Sequence, residues 1–120
     1  MARILYIEDN PQNMDLVCRI LRHVGGHEVF GATDGSTGVE IAQREKPDLI
    51  LMDINLPDIS GIEATQRIKA IPELQPVPIV AFTADAGEGA RQTYLNAGCD
   101  GYMAKPASAQ ILLATVKQYL

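Results

Sequence analysis

Residues 47–61 read PDLILMDINLPDISG. The stretch from Leu49 to Met52 is apolar at every position, stops at a single carboxylate, Asp53, and then breaks into a loop punctuated by Pro57 and Gly61. A strand with one wet face alternates apolar and polar residues. An uninterrupted short run therefore predicts a strand of a parallel sheet covered on both sides. Ligands of such sheets bind in the crevice beyond the carboxyl ends of the strands, which is where Asp53 falls.

Similar runs lie on either side: RILYI at 3–7, EVFGAT at 28–33, PIVAFT at 78–83 and the weaker DGYMAK at 100–105. Segments of helical period separate them. In the first, Met14, Val17, Cys18, Leu21 and Val24 share one face, Asn10 can cap, Pro11 suits the first turn and Gly25 the stop. A second covers roughly residues 35–46, before Pro47. A third starts with Ser60 and Glu63 in capping-box spacing and carries Ala64, Ile68 and Ile71 toward Pro72. The fourth, near residues 86–97, has Gly87 and Gly89 in its first turn, an apolar face of little more than Ala90, Leu95 and Ala97, and Gly98 at its end, which makes it a candidate for mobility. The last buries Ala109, Leu112, Leu113 and Val116. Five alternations with right-handed crossovers predict an α/β fold: a doubly wound five-stranded parallel sheet of flavodoxin-like order 2-1-3-4-5 with helices on both faces.

Composition agrees with one domain spanning residues 1–120. The chain is 47% hydrophobic and 21% charged, and 120 residues suffice for a core without disulfides or a structural metal. Fifteen acidic against ten basic residues give a formal charge of −5, which argues against direct nucleic-acid binding, because phosphate backbones demand clustered cations. No apolar run approaches the roughly 20 residues that span a bilayer, and MARILYIEDN reaches charge too early for a signal peptide, so a cytoplasmic location without membrane insertion is expected. Cys18 and Cys99, far apart and in no metal-type spacing, are expected to be packing residues. His23 and His27 flank the glycine pair after the first helix, where a cation near a helix end is mildly favourable.

The strand ends carry Glu8 and Asp9, Asp53, Thr83 and Lys105. In this strand order the first and third strands adjoin, so the three acids converge. Two like charges about 4 Å apart repel by roughly 4 kcal/mol at an effective dielectric near 20. Lys105 offsets part of that repulsion, and a divalent ion would relieve the rest. Oxygen donors without histidine or thiolate select a hard cation, and the small ligand number suits Mg²⁺, which keeps waters and often takes a phosphate oxygen.

EDN at 8–10, MDINLPDISG at 52–61, TA at 83–84 and YMAKP at 102–106 together resemble the receiver domain of two-component response regulators, the single-domain chemotaxis-regulator type, over essentially the whole chain. The resemblance implies that Asp53 is the phosphoacceptor, taking a phosphoryl group from a histidine of a partner sensor kinase or histidine phosphotransfer protein. It implies Mg²⁺ as cofactor, bound directly by Asp9 and Asp53, by Glu8 mainly through water, and by the Asn55 backbone carbonyl. Lys105 and Thr83 would contact the phosphoryl oxygens. Tyr102 takes the aromatic switch position, turning inward with Thr83. The surface of helix four, strand five and helix five would then shift between two arrangements to control a downstream partner, and the same surface is a candidate for homodimer formation. A complete shift takes roughly 5.5 kcal/mol of preference for one state.

The pattern also implies a cis bond between Lys105 and Pro106, at about 0.5–1 kcal/mol. Glu8 stands where many relatives have aspartate, Ala107 where a larger apolar residue is usual, and Asp85 where the family tunes attack by water. Such a module is not a turnover enzyme.

Two other classes share parts of this pattern. A haloacid-dehalogenase-like Mg²⁺ phosphatase also uses an aspartate nucleophile, but with a second acid two residues on, where this chain has Asn55. A receiver-like scaffold would work through its surface without phosphate.

Overall fold

The structure, a computed structural model, describes residues 2–85, 87 and 89–120. Five strands, β1 (Arg3–Ile7), β2 (Glu28–Ala32), β3 (Leu49–Met52), β4 (Ile79–Thr83) and β5 (Gly101–Ala104), form one parallel sheet in the order β2-β1-β3-β4-β5. The helices are α1 (Pro11–Arg19), α2 (Gly35–Glu45), α3 (Gly61–Lys69), α4 (Ala90–Ala97) and α5 (Ala109–Gln118). A 3₁₀ turn at Pro72–Leu74 leads into β4. The expected order and the helices on both faces are present.

The unbroken apolar runs follow from this layering. Leu5, Ile7, Ile50, Met52, Ile79 and Ala81 pack with Ile41 and Ala42 of α2, Ala64 and Ile68 of α3 and Tyr94 of α4. The alternate residues Ile4, Tyr6, Leu49, Leu51, Val80 and Phe82 pack with Val17 and Cys18 of α1 and Leu112 and Val116 of α5. Successive side chains leave a strand on opposite faces, so a strand with helices on both faces needs apolar residues at every position.

Asn10, Asp34, Ser60 and Ser108 each accept from the backbone N–H three residues on and start α1, α2, α3 and α5. The reciprocal half of the box at α3 does not form, because the Glu63 carboxylate pairs with Arg67 at 2.6 Å instead.

Several expectations need correction. The first helix does not stay α-helical to its end: Ile20–Val24 is π-helical, which turns Val24 out to 68% exposure. Gly25 closes it in a right-handed conformation, and the left-handed residue is Gly26, at φ +71°. Ala109 is exposed, as the first residue of α5. Ile71 lies beyond α3, half-buried. In the fourth helix the side chain that reaches the core is Tyr94, at 3% exposure, while Ala90, Leu95 and Ala97 are half-buried. The beginning expected for that helix falls partly on residues 86 and 88, outside the described residues.

Candidate functional site

Each functional position at the sheet edge sits where a strand stops. Glu8, Asp53 and Lys105 are the first residues past β1, β3 and β5, and Thr83 is the last of β4. Their backbones nevertheless remain in the ladder. Glu8 N–H donates to Ala32 O at 2.9 Å, Asp53 N–H to Ile7 O at 3.0 Å and Lys105 N–H to Thr83 O at 2.9 Å. The side chains therefore rise from pinned peptides. The strand order reverses between β1 and β3, and Glu8, Asp9 and Asp53 meet there.

Glu8 is 1% exposed and Asp53 5%, while Asp9 faces solvent. One carboxylate oxygen from each of the three acids lies within 4.8 Å of the others. The Lys105 ammonium hydrogen-bonds to Glu8 Oε1 and stands 3.6 Å from Asp53 Oδ2. It also lies over the Phe82 ring, 5.6 Å from its centroid. The lysine and two acids thus form a buried cluster with one net negative charge.

Glu8 has further partners: Tyr6 donates its hydroxyl to Oε1 at 2.8 Å, and the Asn10 N–H reaches Oε2 at 3.3 Å. Burial pushes Glu8 up, but its hydrogen bonds with Asp53, Lys105 and Tyr6 together outweigh that and hold it below the ordinary glutamate value. Asp53 goes the other way. Burial first, then the hydrogen bond and charge of Glu8, push its carboxyl up to about 6, against the pull of Lys105 and of the Asn55 N–H. Of the two buried acids, Asp53 is the one that takes up a proton first as pH falls.

The loop after Asp53 is shaped by contacts that sequence spacing does not show. A Cβ on Gly61 would lie 2.2 Å from the Asp53 carbonyl oxygen, so only glycine lets α3 begin directly against the Asp53 backbone. The Asp58 carboxylate accepts from the N–H groups of Gly35 and Ser36, at 2.8 and 2.9 Å, which ties the loop to the N-terminus of α2. A hydrogen bond from the Ser36 side chain, followed by those from the Ser36, Ile59 and Gly35 N–H groups, holds Asp58 well below the usual carboxylate range. Asn55, in this loop, is exposed.

Thr83 is fully buried, and its hydroxyl accepts from the Asp85 N–H at 3.1 Å. Tyr102 points inward, its ring stacked on Tyr94 with centroids 5.7 Å apart. The Lys105–Pro106 bond is cis.

The sequence-based candidates thus occupy one edge: Glu8, Asp9, Asp53 and Lys105 form the acid pocket, with Asn55 in its loop, Thr83 on the neighbouring strand end and Tyr102 one strand further. Sequence reasoning missed Tyr6, Asp58, Phe82 and Tyr94. Tyr6 was recoverable, because it stands two residues before Glu8 on a strand and so shares its face. Asp58 and Tyr94 carry no such signal, because their partners are set by tertiary contacts.

An oxygen-only acid pocket at the switch point of a 2-1-3-4-5 sheet, with a lysine after β5, defines a receiver. The chain belongs to the response regulator receiver domain family, whose description matches residues 4–117. It is 38% identical over 117 residues to the polar-differentiation response regulator DivK of Brucella anthropi, covering 98% of this chain and 94% of that protein. Among solved structures, the receiver domain of the Pseudomonas aeruginosa sensor histidine kinase PA1611, with magnesium coordinated in its active-site cleft, is 38% identical with a TM-score of 0.91, covering 98% of this chain and 96% of that one. The Vibrio cholerae chemotaxis protein CheY4 is 28% identical with a TM-score of 0.94, covering 100% and 99%. The protein is accordingly a signalling module of two-component systems. No helix among the described residues is long and apolar enough to cross a membrane.

Proposed function

We propose that Asp53 is the phosphoacceptor of this module and that a phosphohistidine of a sensor kinase or histidine phosphotransfer protein is its donor. One observation carries the assignment: Asp53 is buried at the crevice with carboxylate oxygens of Glu8 and Asp9 within 4.8 Å and the Lys105 ammonium 3.6 Å away. A carboxylate oxygen of Asp53 attacks phosphorus, the P–O bond forms as the P–N bond breaks, and the electron pair of that bond leaves with the imidazole of the donor. The product is an acyl phosphate on Asp53.

The donor set suits Mg²⁺, held by Asp9 and Asp53 with the Asn55 carbonyl, while Glu8, already committed to Lys105 and Tyr6, contributes at longer range. When bound, the cation neutralises charge on the acids and on the equatorial phosphoryl oxygens. Lys105 does the same from the opposite side and orients the acceptor oxygen. The Thr83 hydroxyl is a donor for a phosphoryl oxygen. Because Thr83 and Tyr102 connect the site to α4 and β5, the surface of α4, β5 and α5 is the one a downstream partner reads. The reaction is stoichiometric, with one group held per chain, rather than multiple-turnover catalysis, and its setting is the cytoplasm, where such kinases present their histidines.

Incubation with acetyl phosphate and Mg²⁺, followed by intact mass measurement, tests the assignment. One phosphoryl group is expected on the wild type and none on Asp53→Asn. No addition to the wild type, or addition that survives Asp53→Asn, overturns it.

A further inference from the structure

Helix α4 packs on the core through Tyr94, which is buried, and Ala90, which is partly buried. Its first-turn cap, Gly89, offers no side chain, and Tyr94 is the residue it buries. The Tyr94 ring stacks on Tyr102 with planes inclined by 27°. Its hydroxyl donates to the Asp85 carbonyl oxygen at 3.0 Å, and the Asp85 N–H donates to the Thr83 hydroxyl at 3.1 Å. Asp85 is therefore gripped on both sides, by the Thr83 hydroxyl through its N–H and by α4 through its C=O. The Tyr102 hydroxyl, by contrast, is buried with no hydrogen-bond partner among the described residues. A buried orphan hydroxyl is costly, and what keeps that ring inward is packing against Tyr94.

We propose that Tyr94 is a positioning residue for phosphoryl capture: through the Asp85 backbone it holds the Thr83 hydroxyl in its resting place. The proposal rests on the reading of Asp53 as phosphoacceptor. Movement of the Thr83 hydroxyl toward a group on Asp53 stretches its bond from the Asp85 N–H. Asp85 follows freely only if the Tyr94 bond gives way. The same side chain then transmits the change, because the hydroxyl that releases Asp85 belongs to the residue by which α4 is buried. Phosphorylation works against this clamp, so deleting the hydroxyl alone eases it.

The test compares the full chain with Tyr94→Phe, which keeps the ring and removes only the donor. Affinity for beryllofluoride, a phosphoryl mimic, is measured calorimetrically with Mg²⁺, and exchange of the Asp85 amide is followed by NMR without it. Tyr94→Phe is expected to bind beryllofluoride about three- to tenfold more tightly, the range of one net neutral hydrogen bond, and to exchange the Asp85 amide faster.

Val116→Ala, a buried loss in α5 on the opposite face, controls for general softening and is expected to bind with wild-type affinity. A Tyr94→Phe chain that melts earlier but keeps wild-type affinity and wild-type Asp85 exchange overturns the proposal, as does equal tightening in Val116→Ala. If the wild type binds no beryllofluoride, the phosphoacceptor reading fails. The clamp is then decided by Asp85 exchange alone, where an unchanged rate in Tyr94→Phe removes it.

Discussion

Replacing Asp53 with asparagine stabilises the protein at pH 7 when divalent cations are removed. Burial and the neighbouring Glu8 push the Asp53 carboxyl up to about 6, from an ordinary 3.8. A carboxyl that holds its proton more tightly folded than unfolded makes stability fall as pH rises from about 4 to about 6, and stability stays lowered above that window. Each tenfold change in proton affinity is worth about 1.4 kcal/mol, so the ionised Asp53 costs the fold at most about 3 kcal/mol at pH 7.

Asparagine removes the charge at nearly constant volume but forgoes the attraction to Lys105, which leaves an expected gain of about 1–3 kcal/mol. In a chain of this size that is a rise in Tm of roughly 4–12 °C. Glu8 contributes with the opposite sign: its carboxyl is held below the ordinary value, so its stabilisation is present above that value and is lost only in stronger acid. The share of it that Lys105 and Tyr6 supply is common to both proteins.

Urea unfolding of wild type and Asp53→Asn in EDTA, from pH 4 to pH 8, measures the difference directly. The gap should open between pH 4 and pH 6 and then stay constant. Added Mg²⁺ should narrow it by stabilising the wild type alone, by binding linkage. An Asp53→Asn protein no more stable than wild type at pH 7 in EDTA, or a gap independent of pH, refutes the reasoning that charge crowding dominates this pocket.

Other perturbations separate the parts of the site. Lys105→Met strips the buried acids of their cation and should cost about 3 kcal/mol at pH 7 in EDTA by urea unfolding, with most of the loss recovered when Asp53→Asn is added to the same chain. Tyr6→Phe removes a buried donor from Glu8 and should cost about 1–3 kcal/mol in the same assay, with an effect that shrinks in acid as Glu8 is protonated. Gly61→Ala places a methyl group against the Asp53 carbonyl oxygen and should cost about 2–3 kcal/mol while lowering Mg²⁺ affinity measured by calorimetry; a variant with wild-type stability and affinity would show that the α3 start can retreat.

The fold was legible because its signals are local. A chain that is apolar at every position of Leu49–Met52 admits few structures other than a strand buried on both faces, and the caps at Asn10 and Ser60 act within three residues of themselves. The acids and the lysine were legible for a related reason: each directly follows a strand, and strand order then determines who meets whom. Tyr94 was not legible, because a tyrosine among Thr93, Leu95 and Asn96 announces nothing until β5 places Tyr102 beneath it. The π-helical turn at Ile20–Val24 escaped as well, since the 3.6-residue pattern of Met14, Val17, Cys18 and Leu21 continues smoothly to a Val24 that the wider turn swings outward.

From the sequence alone came the parallel sheet, the position of Asp53 at its edge and the set of residue types gathered there, since hydrophobic period and chain order specify these without coordinates. Tertiary structure alone decided how the charges are shared. Glu8 takes Lys105 and Tyr6 and stays ionised into stronger acid, while Asp53, 5% exposed beside it, is the acid that protonates first as pH falls. That division depends on distances of a few ångströms and on the exclusion of water, and electrostatic energy in a buried pocket is governed by those quantities rather than by residue type.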